Sequence, residues 1–273
     1  MKRRFKQVDA FTDRPFRGNP VAVVLDAEGL DTAEMQHIAR WTNLSETTFL
    51  LPSRVADYRL RIFSPTRELP FAGHPTIGSA HAALEAGMVK GRKITQECGA
   101  GVLDLAVDDG VIYVRSPQVK LTPLDGMAKG VGIPLNPGAP VLRADVGPVW
   151  LTSEMADAGA LAALKPDMTA LAEWSESLNA TGATVFARSG EADCAIHVRS
   201  FAPAHGIPED PVCGSGNICV AAYLRHFGRA QSAYVARQGM QLGRDGRVSM
   251  RVSAEAIELG GRAVTCVEGK LAT

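Results

Sequence analysis

The chain has no excess of charge of either sign, because Lys plus Arg and Asp plus Glu number 29 each and the formal net charge is zero. Nothing supplies the basic field that a phosphate backbone requires, which argues against a nucleic-acid partner. Long hydrophobic runs are missing as well, and the basic start MKRRFKQVDAF meets Gln7, Asp9 and Asp13 where a leader would turn apolar. The expectation is a soluble, cytoplasmic protein with no membrane partner. Cysteine is sparse and odd in number, five residues with no C-x-x-C pair, so reduced thiols are expected in place of a disulfide framework. The six histidines form no H-x-x-x-H or H-E-x-x-H pattern, and no metal is predicted. There is no G-x-G-x-x-G after a strand, no Walker lysine and no G-x-S-x-G elbow, so no nicotinamide, flavin or ATP site follows and no cofactor is expected.

What the chain does have is one helix-opening turn written twice. FAGHPTIGSAHAALEAG runs from Phe71 to Gly87 and VCGSGNICVAAYLRHFG from Val212 to Gly228. Upstream, RIFSP from Arg61 answers RSFAP from Arg199, ETTFL from Glu46 answers ATVFA from Ala183, and segments ending at Trp41 and Trp174 also match. A duplicated chain of this length predicts two related domains, 1–120 and 121–273, with the final strand free to cross back and one cleft shared by both. The Gly- and Pro-rich segment from Thr122 to Asp145 matches worst and is read as the crossover.

Short β-rich runs at Val21, Thr47, Tyr58 and Val111 read as strands. Helices are predicted from Asp31 and His74 in the first half, with ALAEWSESL and NICVAAYLRHF as their counterparts. Both repeat helices are apolar on most sides, which predicts an α+β fold in which each half curls a sheet around a central helix. Asp-Gly pairs at Asp109 and Asp245 predict hairpins.

The halves differ where chemistry could sit: Glu46 faces Ala183, His74 faces Ser215 and Ala72 faces Cys213. Each turn, Gly73-His74 and Gly214-Ser215-Gly216, opens a helix whose first N–H groups can hold an anionic oxygen, or else its glycines only permit the bend and its hydroxyls cap. Glu46, beside Ser45, is either a solvated boundary residue or a lone general base. Asp210 either assists at the second turn or shapes a loop before Pro211. For His74 the choice is ligand contact or a histidine satisfied by backbone. Cys213 is either a small buried side chain or a thiol activated at a helix start.

The motifs DAFTDRPFRGNPVAVV, NLSETTF, ELPFAGHPTIG and EDPVCGSGN stand in the order found in the PhzF family, the phenazine-biosynthesis-type isomerases, and the resemblance covers nearly the whole chain. It implies the diaminopimelate-epimerase-like fold, a homodimer and cofactor-free proton transfer at carbon on a small carboxylate-bearing substrate. By resemblance, Glu46, His74 and Asp210 are catalytic, and Ser45, Gly73, Gly214 and Ser215 line the pocket, with Gly216 in the same turn. In the namesake enzyme the substrate is dihydro-3-hydroxyanthranilate. The family usually has Thr where Cys213 stands, and VCGSG resembles a cysteine turn of the related epimerases. An epimerase pairing Glu46 with Cys213 and a non-catalytic metabolite-binding protein are therefore the alternatives.

Overall fold

The computed structural model describes residues 1–126 and 130–273. Residues 127–129 of the expected crossover lie outside the described residues. The chain forms two compact units, one built from residues 1–115 together with 260–273 and the other from 116–259. In chain order, unit 1 contributes β1 (Lys2–Ala10), β2 (Asn19–Val24), α1 (Thr32–Thr42), β3 (Thr47–Leu51), β4 (Tyr58–Phe63), β5 (Glu68–Leu69), α2 (Gly73–Glu85), β6 (Lys93–Cys98), β7 (Gly101–Asp108) and β8 (Val111–Arg115). There follow β9 (Lys120–Leu124), β10 (Val141–Asp145), β11 (Val149–Glu154), α3 (Ala158–Ala163), α4 (Met168–Ser177), β12 (Gly182–Arg188), β13 (Ile196–Ala202), β14 (Ile207–Asp210), α5 (Gly214–His226), β15 (Ala233–Gln238), β16 (Gly246–Val252), β17 (Ile257–Gly261) and β18 (Ala263–Ala272). Among the described residues no helix is long and apolar enough to cross a membrane.

The two units share one strand topology. In unit 1, β1 lies antiparallel to β18 and β2, β2 runs parallel to β3, β3 pairs antiparallel with β4, and β4 runs parallel to β6. In unit 2 the same sequence of pairings links β9, β10, β11, β12, β13 and β15. The C-terminal β18 therefore does for unit 1 what β9 does for unit 2.

Each sheet curls around one 13-residue helix, α2 or α5. Small residues let strands pass close by: a Cβ at Gly78 would lie 2.4 Å from Val21 Cγ1. On the outer face, α1 covers a cluster around Met35, Phe49 and Phe63, while α3 and α4 cover Leu151, Val185 and Phe201. This is the α+β architecture that the two buried helices predict.

The segment from Thr122 to Asp145, read as the crossover, lies inside unit 2, the chain leaving unit 1 at Arg115, and two further sequence expectations change. The β7–β8 hairpin turns at Asp109 and Gly110, both with positive φ, as an Asp-Gly turn requires. The later pair does not form such a turn. β15 and β16 pair from Gln238 to Gly246 around a 3-10 turn at Met240–Leu242, and Asp245 instead binds Arg237 at 2.7 Å.

The second change concerns the counterpart of Glu46. Phe63 and Phe201 are equivalent, since each lies under an arginine, Arg61 or Arg199, that forms a two-point ion pair with Glu68 or Glu209. Thr47 is opposite Phe63, and Ala183 is opposite Phe201. Glu46 thus corresponds to Gly182, not to Ala183. Phe49 packs under α1, whereas Phe186 turns to Tyr223 of α5, so the two phenylalanines matched in sequence face opposite sides of their sheets. A Cβ at Gly182 would lie 1.9 Å from the Phe201 carbonyl oxygen, which leaves no room for any side chain there.

Candidate functional site

In unit 1 the geometry is built by the start of α2 and the residue before β3. Ala72, the N-cap, is extended and offers no side-chain cap, and the first turn carries no acidic residue. The positive end of the helix is therefore not neutralised by an acid of its own first turn. His74 enters the core on the second residue of the helix and is 7% exposed. Glu46 is anchored by its carbonyl, which accepts the Ala22 N–H at 3.3 Å. Its Oε2 lies 3.1 Å from His74 Nε2. The contact is close in distance but is not aligned as a hydrogen bond, so two buried polar atoms face each other without a directed bond between them.

Burial raises the Glu46 pKa from 4.5 to about 7, opposed only in part by a hydrogen bond with Ser45. Its side chain keeps 16% exposure, so the group is desolvated yet still reachable. A carboxyl in this state populates both protonation forms at neutral pH, which suits a group that must take a proton and return it. Ser45, Glu46, Gly73 and His74 thus form one locus.

In unit 2, α5 opens at Gly214 with Cys213 as N-cap. Cys213 Sγ accepts the Gly216 N–H at 3.3 Å, and its carbonyl accepts the Asn217 side-chain amide at 2.9 Å. Asn217 reaches Gln238 at 2.9 Å, and Gln238 in turn donates to the Asp210 carbonyl at 3.0 Å. Asp210 Oδ1 accepts the Val212 N–H at 3.1 Å and closes the bend over Pro211. The EDPVCGSGN segment is thereby locked in shape. Asp210, Cys213, Gly214, Ser215 and Gly216 make a second locus.

Three of these residues have structural contacts of their own. Burial, and next the nearby Asp210 charge, push the Cys213 thiol well above its ordinary range, outweighing the lowering by Ser215 and by the helix-start amide of Gly216. Cys213 is a neutral, 3%-exposed capping side chain. The Gly216 amide is spent on that cap, and a Cβ at Gly216 would crowd Ser200 Oγ at 2.6 Å and Thr184 Oγ1 at 2.7 Å. Gly216 is a packing residue. Asp210 serves its own loop through Val212, whatever else its carboxylate contacts.

Sequence reasoning missed Trp150. Its indole N–H donates to Ser215 Oγ at 2.9 Å from a 3%-exposed position in β11. No local pattern marks a tryptophan in an apolar strand as a partner for a serine that follows it by a whole sheet. Ser215 Oγ is also 3.5 Å from Cys213 Sγ. Among the described residues, one cluster of metal-type ligands forms, Glu191, Cys194 and His197, in the hairpin between β12 and β13.

The sequence profile of the phenazine biosynthesis-like protein family, PhzC-PhzF, matches residues 8–269. The chain is 41% identical to Antisense-enhancing sequence 1 of Schizosaccharomyces pombe over 97% of both chains. It is 33% identical to trans-2,3-dihydro-3-hydroxyanthranilate isomerase of Pseudomonas aeruginosa over 98% of both. A solved phenazine biosynthesis protein of the PhzF family from Bacillus anthracis superposes with a TM-score of 0.90 at 27% identity, covering 100% of both chains. The fold is of the diaminopimelate-epimerase-like type.

Proposed function

The chain belongs to the phenazine biosynthesis-like, PhzC-PhzF family and is an isomerase, and we propose that it moves a carbon-bound proton within a small carboxylate-bearing substrate, with Glu46 as the proton carrier. The observation that carries this reading is the Glu46 carboxyl itself, held at a pKa of about 7 against His74 and next to an uncapped helix start. Glu46 removes the proton from one carbon and returns it to another, so the carboxyl ends the cycle as it began and no cofactor enters the balance. His74 orients that carboxyl and polarises a substrate oxygen. Gly73 and Gly214 present helix-start amides to anionic oxygens. Ser215 accepts from Trp150, an indole that can only donate, and turns its own hydrogen toward the thiol or a substrate oxygen.

Magnitudes assign the roles. A helix start stabilises an anion by about 0.3–2 kcal/mol. A positioned acid or base contributes about 10²–10⁴ in rate, roughly 3–5 kcal/mol. The turns can therefore hold and orient, while the titrating carboxyl must move the proton. The substrate class proposed is that of trans-2,3-dihydro-3-hydroxyanthranilate, the compound named for the Pseudomonas relative.

The test is NMR in deuterated water with that compound and a panel of small carboxylic acids. Wild type is expected to place deuterium on carbon, Glu46→Gln to lose this by about 10²-fold or more while staying folded, and Cys213→Ser to keep it. Full exchange by Glu46→Gln would remove the proposal. Equal loss in Cys213→Ser would restore an epimerase that uses the thiol.

A further inference from the structure

The β12–β13 hairpin carries a group of side chains that the proposed reaction does not use. Its loop, 189–195, is closed by the Ser189 N–H to Ala195 carbonyl bond at 2.9 Å. It lies at the opposite end of β13 from Ser200, which pairs with Asp210. Four donors of different chemistry converge there. His197 Nε2 lies 3.3 Å from Glu191 Oε1 and 3.3 Å from Ser189 Oγ. Cys194 Sγ lies 3.3 Å from Glu191 Oε2 and 3.4 Å from Ser189 Oγ.

These spacings have a geometric meaning. One ligand atom from each of Glu191, Cys194 and His197 lies within 4.8 Å of the others, close enough for the three to share one zinc ion, whose bonds run about 2.0–2.3 Å. Thiolate, imidazole and carboxylate are also the donor set that this ion prefers. We propose that the β12–β13 hairpin binds a divalent ion of the zinc type through Cys194 Sγ, His197 Nε2 and the Glu191 carboxylate, with Ser189 Oγ or a water as the fourth donor.

The charges around the hairpin accommodate such an ion. Arg237 binds both Glu191, at 2.8 Å, and Asp245, at 2.7 Å. Arg247 lies 2.9 Å from Asp193 and 3.4 Å from Asp245. Three carboxylates against two guanidinium groups leave one negative charge in excess. A divalent ion that displaces the Cys194 proton brings one net positive charge and neutralises the cluster. The balance is one bound ion for one proton released to water, with no oxidant or reductant. The motif escaped the linear search because S-x-E-x-x-C-x-x-H acquires its geometry only when the strands of a hairpin fold back.

The test is a cobalt titration of the full, metal-stripped chain, read by absorption. A thiolate-to-cobalt charge-transfer band with visible bands of tetrahedral intensity is expected, both bleached by zinc. Cys194→Ala, checked for folding by circular dichroism, is expected to lose the charge-transfer band. Glu191→Gln, at an exposed loop position and likewise checked for folding, is expected to bind cobalt about tenfold or more weakly. Absence of the band in wild type at millimolar cobalt, or its persistence in Cys194→Ala, would overturn the proposal and leave the cluster as an arginine-centred ion-pair network.

Discussion

With its titration moved from 4.5 to about 7, Glu46 keeps its proton in the folded state across a range where the unfolded chain has lost it. Unfolding then releases a proton, so stability falls as pH rises from about 4.5 to 7 and stays lower beyond. The cost at pH 8 is on the order of 3 kcal/mol. Glu46→Gln removes the ionising group and with it this slope. Urea denaturation is expected to show the variant more stable than wild type at pH 8, with the difference shrinking by pH 5; a constant difference would mean that Glu46 titrates normally. The isolation of this carboxyl was legible in the sequence as an acid missing from the second copy. Its state was not, because desolvation depends on what the fold packs around Ser45 and His74. At Cys213 the sequence left a small buried side chain and an activated thiol both open for the complementary reason: a helix start was visible, and the burial that outweighs its dipole was not.

At the scale of elements, the same ion pair occurs twice in different surroundings. Arg61 and Glu68 join β4 to β5 with side chains 16% and 39% exposed, whereas Arg199 and Glu209 join β13 to β14 at 6% and 9%. Arg199 also donates to the carbonyls of Leu161 and Leu164, which ties α3 to the sheet. Removing one partner of a buried pair strands the other, at about 3–5 kcal/mol, while an exposed pair is worth about 0–1 kcal/mol. Chemical denaturation is expected to show Glu209→Gln and Arg199→Ala far more damaging than Glu68→Gln and Arg61→Ala. Similar losses in both units would mean that burial does not set the energy. The equivalence of these pairs also explains a limit of sequence comparison. Matching Phe49 to Phe186 is the natural alignment of ETTFL with ATVFA, yet a strand has a period of two, and a slip of one residue carries the second ring to the other face. Only the partners, Phe63 under Arg61 and Phe201 under Arg199, fix the register and set Gly182 in the place of Glu46.

For the whole molecule, the repeat disclosed two units and a central helix in each, because burial on all sides of α2 and α5 leaves a plain mark of alanine, glycine and isoleucine. The sequence left the final strand free to cross back without marking its partner. β18 pairs with β1 from Lys2↔Ala272 to Ala10↔Ala263, so the last strand completes the first unit. A chain ending at Leu259 would expose β1 as an unpaired edge while leaving the internal pairings of unit 2 intact. Hydrogen exchange read by mass spectrometry is expected to lose protection in residues 1–115 and to retain it in 116–259; uniform loss would mean that the units do not fold as described.

Infrared difference spectroscopy of wild type against Glu46→Gln observes the Glu46 carboxyl directly, without any substrate. A protonated-carboxyl band that is present at pH 5.5, disappears with a midpoint near 7 and is absent from the variant is the predicted result. A band already lost at pH 5.5, with a midpoint near 4.5, would contradict it and remove Glu46 as the proton carrier.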